Sequence, residues 1–252
     1  MLNLLVTYVC LKAYWLLSMQ FGRWTDAYWF EAALKCALWI PSCAIVTALL
    51  HLGTGQSAGW ALGLSAGARR GLLFGVVATM PMAAAALALP RTPINPDLIA
   101  GSTLIGPFAE ELLFRGFLFT LLVRRAGWHV VPAMILSSLI FGLAHLRNAD
   151  VQFVSIVFGG GPSLTTYVLP YAAGGALFAW VTWRSQSLWP AIALHALMNF
   201  WWDLTTGEHG QLDFTIDPMS AAQAISAVAA IALTLRWARV PEAWRLGPIR
   251  RN

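Results

Sequence analysis

One apolar run of the chain contains three charged side chains, which are unfavourable in a lipid bilayer unless the fold compensates their charges. The run extends roughly from residue 98 to residue 123 and contains Glu110, Glu111 and Arg115. At about 1.5 Å per helical residue, it is long enough to cross a hydrocarbon core of about 30 Å. One charge at the centre of a bilayer is unfavourable by about 2.5 kcal/mol or more. These groups must therefore pair with one another, line a wet cavity or take part in chemistry.

The composition indicates an integral membrane protein. Of the 252 residues, 58% are hydrophobic and 11% are charged, whereas a typical soluble domain is about 25% charged. The mean hydropathy is +0.65. The net charge of +5 comes mainly from arginines in short loops and in the C-terminal tail, so it indicates a membrane surface and no nucleic-acid partner. Cys10, Cys36 and Cys43 show no CxxC spacing and are expected to be buried apolar side chains.

Hydropathy predicts an all-α, polytopic transmembrane bundle of about eight spans, which together form one integral domain. The predicted spans are roughly residues 2–19, 29–51, 71–90, 98–123, 130–146, 165–183, 189–205 and 218–237. The N-terminus has no basic segment before its apolar residues, so we expect a retained first helix and not a cleaved signal.

The arginines in the loops predict the orientation of this bundle. With the N-terminus inside, ten arginines fall on the cytoplasmic side and three on the outer side. Cytoplasmic loops are enriched in Lys and Arg, so we expect both termini in the cytoplasm. The ten are Arg69, Arg70, Arg124, Arg125, Arg184, Arg236, Arg239, Arg245, Arg250 and Arg251, and the three are Arg23, Arg91 and Arg147. This orientation places the loop 206–217 outside and the tail 239–252 inside.

Polar residues on three spans are candidates for one intramembrane site. Glu111 and Arg115 are four residues apart and share a helix face, whereas Glu110 points about 100° away. His195 and Asn199 likewise share a face, and histidine is the usual general acid or base near neutral pH. An asparagine amide is a donor of the kind that stabilises an oxyanion. The six candidates are Glu110, Glu111, Arg115, His145, His195 and Asn199.

The three motifs that these residues form resemble a known family. The patterns EExxxR, FxxxH and HxxxN follow one another along the chain as Glu110-Glu111-xxx-Arg115, Phe141-xxx-His145 and His195-xxx-Asn199. In this order they resemble the CAAX-protease and bacteriocin-processing (Abi) family of intramembrane proteases. The resemblance covers residues 98–205, which would form a four-helix catalytic core. Residues 1–97, the N-terminal helices, and 206–252, the last helix and the basic tail, carry no family motif.

The resemblance implies an endopeptidase of the cell membrane of a bacterium or an archaeon. By analogy, Glu110 would activate water with the help of His145, while His195 and Asn199 would bind the oxyanion. Two further residues would orient the site: Glu111 and Arg115. The implied partners are the lipid bilayer and membrane-associated substrates. Such substrates are prenylated CAAX tails, bacteriocin leader peptides or C-terminal sorting anchors.

Two alternatives differ from this interpretation in chemistry or in class. Glutamate and histidine are competent zinc ligands, so a metal-dependent peptidase is one alternative. The chain has no HExxH motif, and we favour a mechanism without a metal or other cofactor. The other alternative is a non-enzymatic immunity protein, scaffold or transporter. Transporters often contain internal repeats, and none is visible in this chain.

Individual residues also have purely structural interpretations. The ion pair of Glu111 with Arg115 could serve only to hold the helices together. Glu31 and Lys35 are four apart on the second span and are expected to form a structural pair with each other. Asp203 is expected to mark the outer end of the seventh span, and orienting a site residue is the alternative.

Overall fold

The chain forms a bundle of helices. A computed structural model describes residues 2–21, 28–52, 57–65, 67–93, 95–145, 164–206 and 217–237, and within these ranges all regular structure is helical. The helices are α1 (Leu2–Phe21), α2 (Tyr28–Leu50), α3 (Ala58–Ala61), α4 (Ala68–Ala78), α5 (Met80–Ala88), α6 (the continuous stretch 96–124), α7 (Val130–Ala144), α8 (Leu164–Ser185), α9 (Trp189–Thr206) and α10 (Pro218–Trp237). The prediction of an all-α protein is confirmed.

Apolar helices support the assignment to a membrane. Among the described residues, Trp29–Leu50 in α2 and Pro218–Arg236 in α10 are long and apolar enough to cross a bilayer. Helices α4 and α5 make a third candidate if they form one span, with a bend of 49° between them. Pro81 lies in the first turn of α5 and lacks a backbone N–H, which explains the break after α4. The count of eight spans is not confirmed, because the other helices are shorter or more polar.

Helix α6 lies at the centre of the bundle and contains two wide, π-helical stretches. These are Ile99–Ile105 and Leu112–Phe119, on either side of an α-helical segment, Gly106–Glu111. The Gly106 N–H donates to the carbonyl of Gly101, five residues earlier. Such wide turns are rare and often occur at functional sites. Here they flank the segment that contains both glutamates.

Close approach of neighbouring helices depends on glycine at particular positions. A Cβ atom on Gly142 of α7 would lie 2.6 Å from the carbonyl oxygen of Val168 on α8. A Cβ atom on Gly71 of α4 would lie 2.6 Å from the Trp189 backbone of α9. Contacts this short are sterically forbidden, so these two helix pairs pack backbone against backbone.

Hydrogen bonds identify which helix ends lie together. At one end of the bundle, Arg124 donates to the carbonyl of Trp60, and Arg125 donates to that of Leu50. At the other end, the Thr92 N–H donates to the carbonyl of Leu204. The ends of α2, α3 and α6 therefore meet on the arginine-rich side. The loop after α9 and the tail 239–252, on which the predicted orientation partly depends, lie outside the described residues.

Candidate active site

The ion pair predicted from helical spacing is present and fully buried. Arg115 Nη1 lies 2.9 Å from Glu111 Oε1, and both side chains are 0% exposed. The guanidinium lies over the rings of Phe141 and Phe178, at 4.2 and 5.3 Å from their centroids. Arg115 Nε and Nη2 have no hydrogen-bond partner among the described residues. Cation–π attraction to the two rings therefore replaces the missing hydrogen bonds in part.

His195 on α9 lies between the two glutamates of α6. Its Nδ1 is 2.8 Å from Glu111 Oε1, and its Nε2 is 4.0 Å from Glu110 Oε2. The ring stacks on Phe178 with a centroid distance of 4.6 Å. An ionised carboxylate only accepts hydrogen bonds, so Nδ1 carries the proton and Nε2 faces Glu110. The adjacent positions of the glutamates on the helix thus allow one imidazole to approach both.

His145 lies directly after the last residue of α7, at the edge of the same site. Its Nδ1 donates to the carbonyl of Phe141 over 2.8 Å, and its ring stacks on Tyr171 at 4.1 Å. The Phe141 ring packs edge to face against both histidines, at 4.5 Å from the ring centroid of His145 and 6.2 Å from that of His195. Unlike His195, His145 is partly exposed. His145 is therefore held in place by the end of its own helix and by an aromatic ring.

Asn199 is tied to the first wide stretch of α6. Its side-chain amide donates to the carbonyl of Ser102 over 2.9 Å, and the Ser102 hydroxyl donates to the Asp203 carboxylate. The amide nitrogen has two hydrogens, so one remains for another acceptor. The contact through Ser102 favours the alternative interpretation of Asp203, in which it helps to orient a site residue.

Lys35 on α2 also belongs to this cluster, although the sequence analysis did not include it among the site residues. Its Nζ lies 2.5 Å from Glu110 Oε1, and the lysine side chain is 17% exposed. The pairing of Lys35 with Glu31 on its own helix stays a prediction, and the contact with Glu110 is one that helical spacing does not predict. The contact with Glu110 has a simple cause: α2 packs alongside α6, and a long lysine side chain can reach across the interface. The available signal was a basic residue in the middle of an apolar helix.

The described residues contain no group of three or more His, Cys, Asp or Glu side chains arranged to hold a metal ion. The cluster contains two carboxylates, and each is paired with a basic side chain: Glu110 with Lys35 of α2, and Glu111 with Arg115 of α6. Whether the protein works without a metal stays a prediction, since metal content is a property that requires direct measurement.

Comparison with known proteins relates the centre of the chain to a family of peptidases. Residues 95–201 match the family described as Type II CAAX prenyl endopeptidase Rce1-like. We refer to these residues, less than half of the chain, as the Rce1-like segment because they are similar to that family. A Bacillus subtilis (strain 168) protein named "Putative membrane peptidase YdiL" is 31% identical over 104 residues. The aligned part is 41% of this chain and 35% of that relative. No solved structure gives a significant match.

The Rce1-like segment contains all six residues that the motifs singled out. The predicted relation to CAAX proteases is confirmed over residues 95–201, while the bacteriocin-processing side of the resemblance stays a prediction. The apolar helices and the family together indicate an integral membrane protein related to membrane endopeptidases. Lys35 lies outside the segment, so the family match does not cover the whole cluster. For the same reason, the four-helix core is not confirmed as a complete site.

Proposed function

We propose that this protein is an intramembrane endopeptidase that hydrolyses peptide bonds of membrane-associated substrates. The observation that carries the proposal is the position of Glu110, which lies 4.0 Å from His195 Nε2 in a site where the Phe141 ring contacts both His195 and His145. A carboxylate and two imidazoles around one small volume are the groups that general acid–base hydrolysis needs. The membership of all three in the Rce1-like segment supports the same conclusion.

In this mechanism, Glu110 acts as the general base. It takes a proton from a water molecule while the water oxygen attacks the carbonyl carbon of the scissile peptide. His145, at the edge of the site, helps to position that water. When the tetrahedral intermediate collapses, the C–N bond breaks and the proton passes from Glu110 to the leaving amine. Proton transfer of this kind typically contributes about 10²–10⁴-fold to the rate.

His195 and Asn199 are the proposed donors to the oxyanion. The Nδ1–H of His195 is bonded to Glu111, so its Nε2 donates only when the ring carries a second proton. The buried Glu111 carboxylate stabilises that imidazolium, and Arg115 holds the carboxylate in place. The second hydrogen of the Asn199 amide supplies the other donor. Glu111 and Arg115 are thus supporting residues that act through His195.

The decisive test compares wild type with Glu110→Gln, which removes the base and keeps the side-chain size. Both are measured on three synthetic membrane peptides: a farnesylated CAAX tail, a leader peptide and a C-terminal sorting anchor. We expect wild type to cleave at least one peptide and Glu110→Gln to lose about 10²–10⁴-fold in turnover. Asp97→Asn is the matched control, because Asp97 is an exposed carboxylate outside the site. Equal activity of wild type and Glu110→Gln would contradict the mechanism, and no cleavage by folded wild type would favour a scaffold or immunity protein.

We further infer that the chain crosses the membrane about eight times, with both termini in the cytoplasm. The alternation of helix ends supports this, because the arginine-rich ends of α2 and α6 meet on one side of the bundle. We also propose that no metal takes part. Metal analysis of the active, purified protein tests this proposal, because the metal-dependent alternative requires a bound metal ion in the active enzyme.

A further inference from the structure

Among the described residues, the shortest polar contact of Glu110 is made by a residue that the family match does not include. Lys35 Nζ lies 2.5 Å from Glu110 Oε1, and the two residues belong to different helices, α2 and α6. The Rce1-like match begins at residue 95. The family segment alone therefore leaves the proposed base without the cation that holds it in this structure.

The surroundings of Lys35 fix the position of its ammonium group. The Nζ atom lies 5.5 Å from the centroid of the Tyr14 ring and 5.9 Å from that of Trp39. These two rings pack edge to face at 5.3 Å, and the Tyr14 hydroxyl donates to Glu31 over 3.3 Å. Aromatic faces attract a cation and resist displacement because they are rigid. Helices α1 and α2 thus form a rigid socket for this lysine.

The pairing distinguishes the two oxygens of the Glu110 carboxylate. Oε1 is occupied by Lys35, while Oε2 faces His195 Nε2 at 4.0 Å. Oε2 is therefore the oxygen directed towards His195, the proposed donor to the oxyanion. Without Lys35, the Glu110 carboxylate could rotate about its last side-chain bond, because no other contact among the described residues holds Oε1.

We propose that Lys35 is a positioning residue for the peptidase reaction: it holds Oε1 of Glu110 so that Oε2 is the oxygen that takes the proton from water. Lys35 also compensates the Glu110 charge, as Arg115 does for Glu111. The inference rests on the proposed function. It assigns the N-terminal helices a part in the active site, whereas the family motifs lie entirely on later helices.

The test uses full-length protein and the peptide of the three-member panel that wild type cleaves fastest. A misplaced base slows the chemical step, and a displacement of about 1 Å can reduce the rate about 10²-fold. We expect Lys35→Met to lower kcat by about this factor, with KM changed by less than about threefold, since substrate binding is untouched. Lys35→Arg, which keeps the charge in a different shape, should recover part of kcat. Lys12→Met is the matched control, because Lys12 lies on the exposed face of α1.

The readouts separate positioning from a role in folding alone. If Lys35→Met lowers only the yield of folded protein, while kcat per folded molecule equals that of Lys12→Met, the inference is overturned. If Lys35→Met does not accumulate, Lys35→Gln is measured with the same expectation, because the glutamine side chain is uncharged and one atom too short to place its amide where the lysine ammonium lies. Should wild type and Glu110→Gln be equally active, the proposed function fails and this inference with it. Loss of activity in Glu110→Gln, with full kcat in Lys35→Met, overturns the role of Lys35 alone.

Discussion

Arg115 is a fully buried cation, and its neighbours explain how the buried charge is stabilised. One nitrogen donates to Glu111, and aromatic rings cover the rest of the guanidinium. The planar fork suits this arrangement because it donates at one edge and stacks on its face. At the scale of single residues, the pair is thus a structural support of the site, in addition to any part it has in the reaction.

Arg115→Ala should therefore lower stability as well as activity. Removing one partner of a buried ion pair leaves the other charge without compensation, which costs about 3–5 kcal/mol. We expect a clear fall in the melting temperature of the detergent-solubilised protein, and only partial recovery in Arg115→Lys, since an ammonium group lacks the flat face that stacks on the Phe141 and Phe178 rings. Arg69→Ala, at an exposed position, should change the melting temperature little. An Arg115→Ala variant that is inactive with unchanged melting temperature would instead indicate contact with substrate.

Spacing predicted the pairs within one helix but not those between helices. Glu111 with Arg115 follows from a separation of four residues on a continuous helix, and the structure contains it. Lys35 with Glu110 joins residues far apart in sequence, so only the packing of α2 against α6 reveals it. The roles assigned to the site residues stay predictions, because geometry alone measures no reaction.

At the scale of elements, the predicted apolar segments agree with most helices to within a few residues. The two exceptions are local backbone features. Helix α4 ends at Ala78, inside the third predicted span, and α6 contains two wide stretches. Hydropathy averages over a window of residues, so neither a bend nor a change of helical pitch alters it. The eight crossings stay a prediction, because the remaining helices are too short or too polar to give a clear hydropathy signal.

The α7–α8 interface gives a prediction at this scale. Gly142→Ala places a methyl group 2.6 Å from a backbone carbonyl that cannot move independently, so we expect destabilisation of about 1–3 kcal/mol. Gly174→Ala on α8 is the matched control, because a Cβ atom there meets nothing within 4 Å. Alanine favours a helix over glycine by about 0.5–1 kcal/mol, so the control should be neutral or slightly stabilising. Equal melting temperatures for the two variants would contradict the close packing described here.

At the scale of the whole molecule, the orientation can be tested at two exposed sites on opposite ends of the bundle. Arg70 lies in the first turn of α4 on the arginine-rich side, and Asp97 lies near the start of α6 on the other. In a background with Cys10, Cys36 and Cys43 replaced by alanine, an impermeant maleimide added to intact cells should label Asp97→Cys and not Arg70→Cys. Labelling of Arg70→Cys without cell lysis would reverse the predicted orientation.

The pairing of Lys35 with Glu110 also has a consequence for biogenesis. The two residues are separated by 75 positions, so α2 leaves the ribosome well before α6 is synthesised. During that interval the nearest anion on α2 is Glu31, four residues before Lys35 and suitably spaced for a temporary pair. When α6 is inserted, Arg115 on the same helix can pair with Glu111, and Lys35 on α2 can pair with Glu110. We therefore expect Glu110 to gain its counter-ion only when α6 packs against α2.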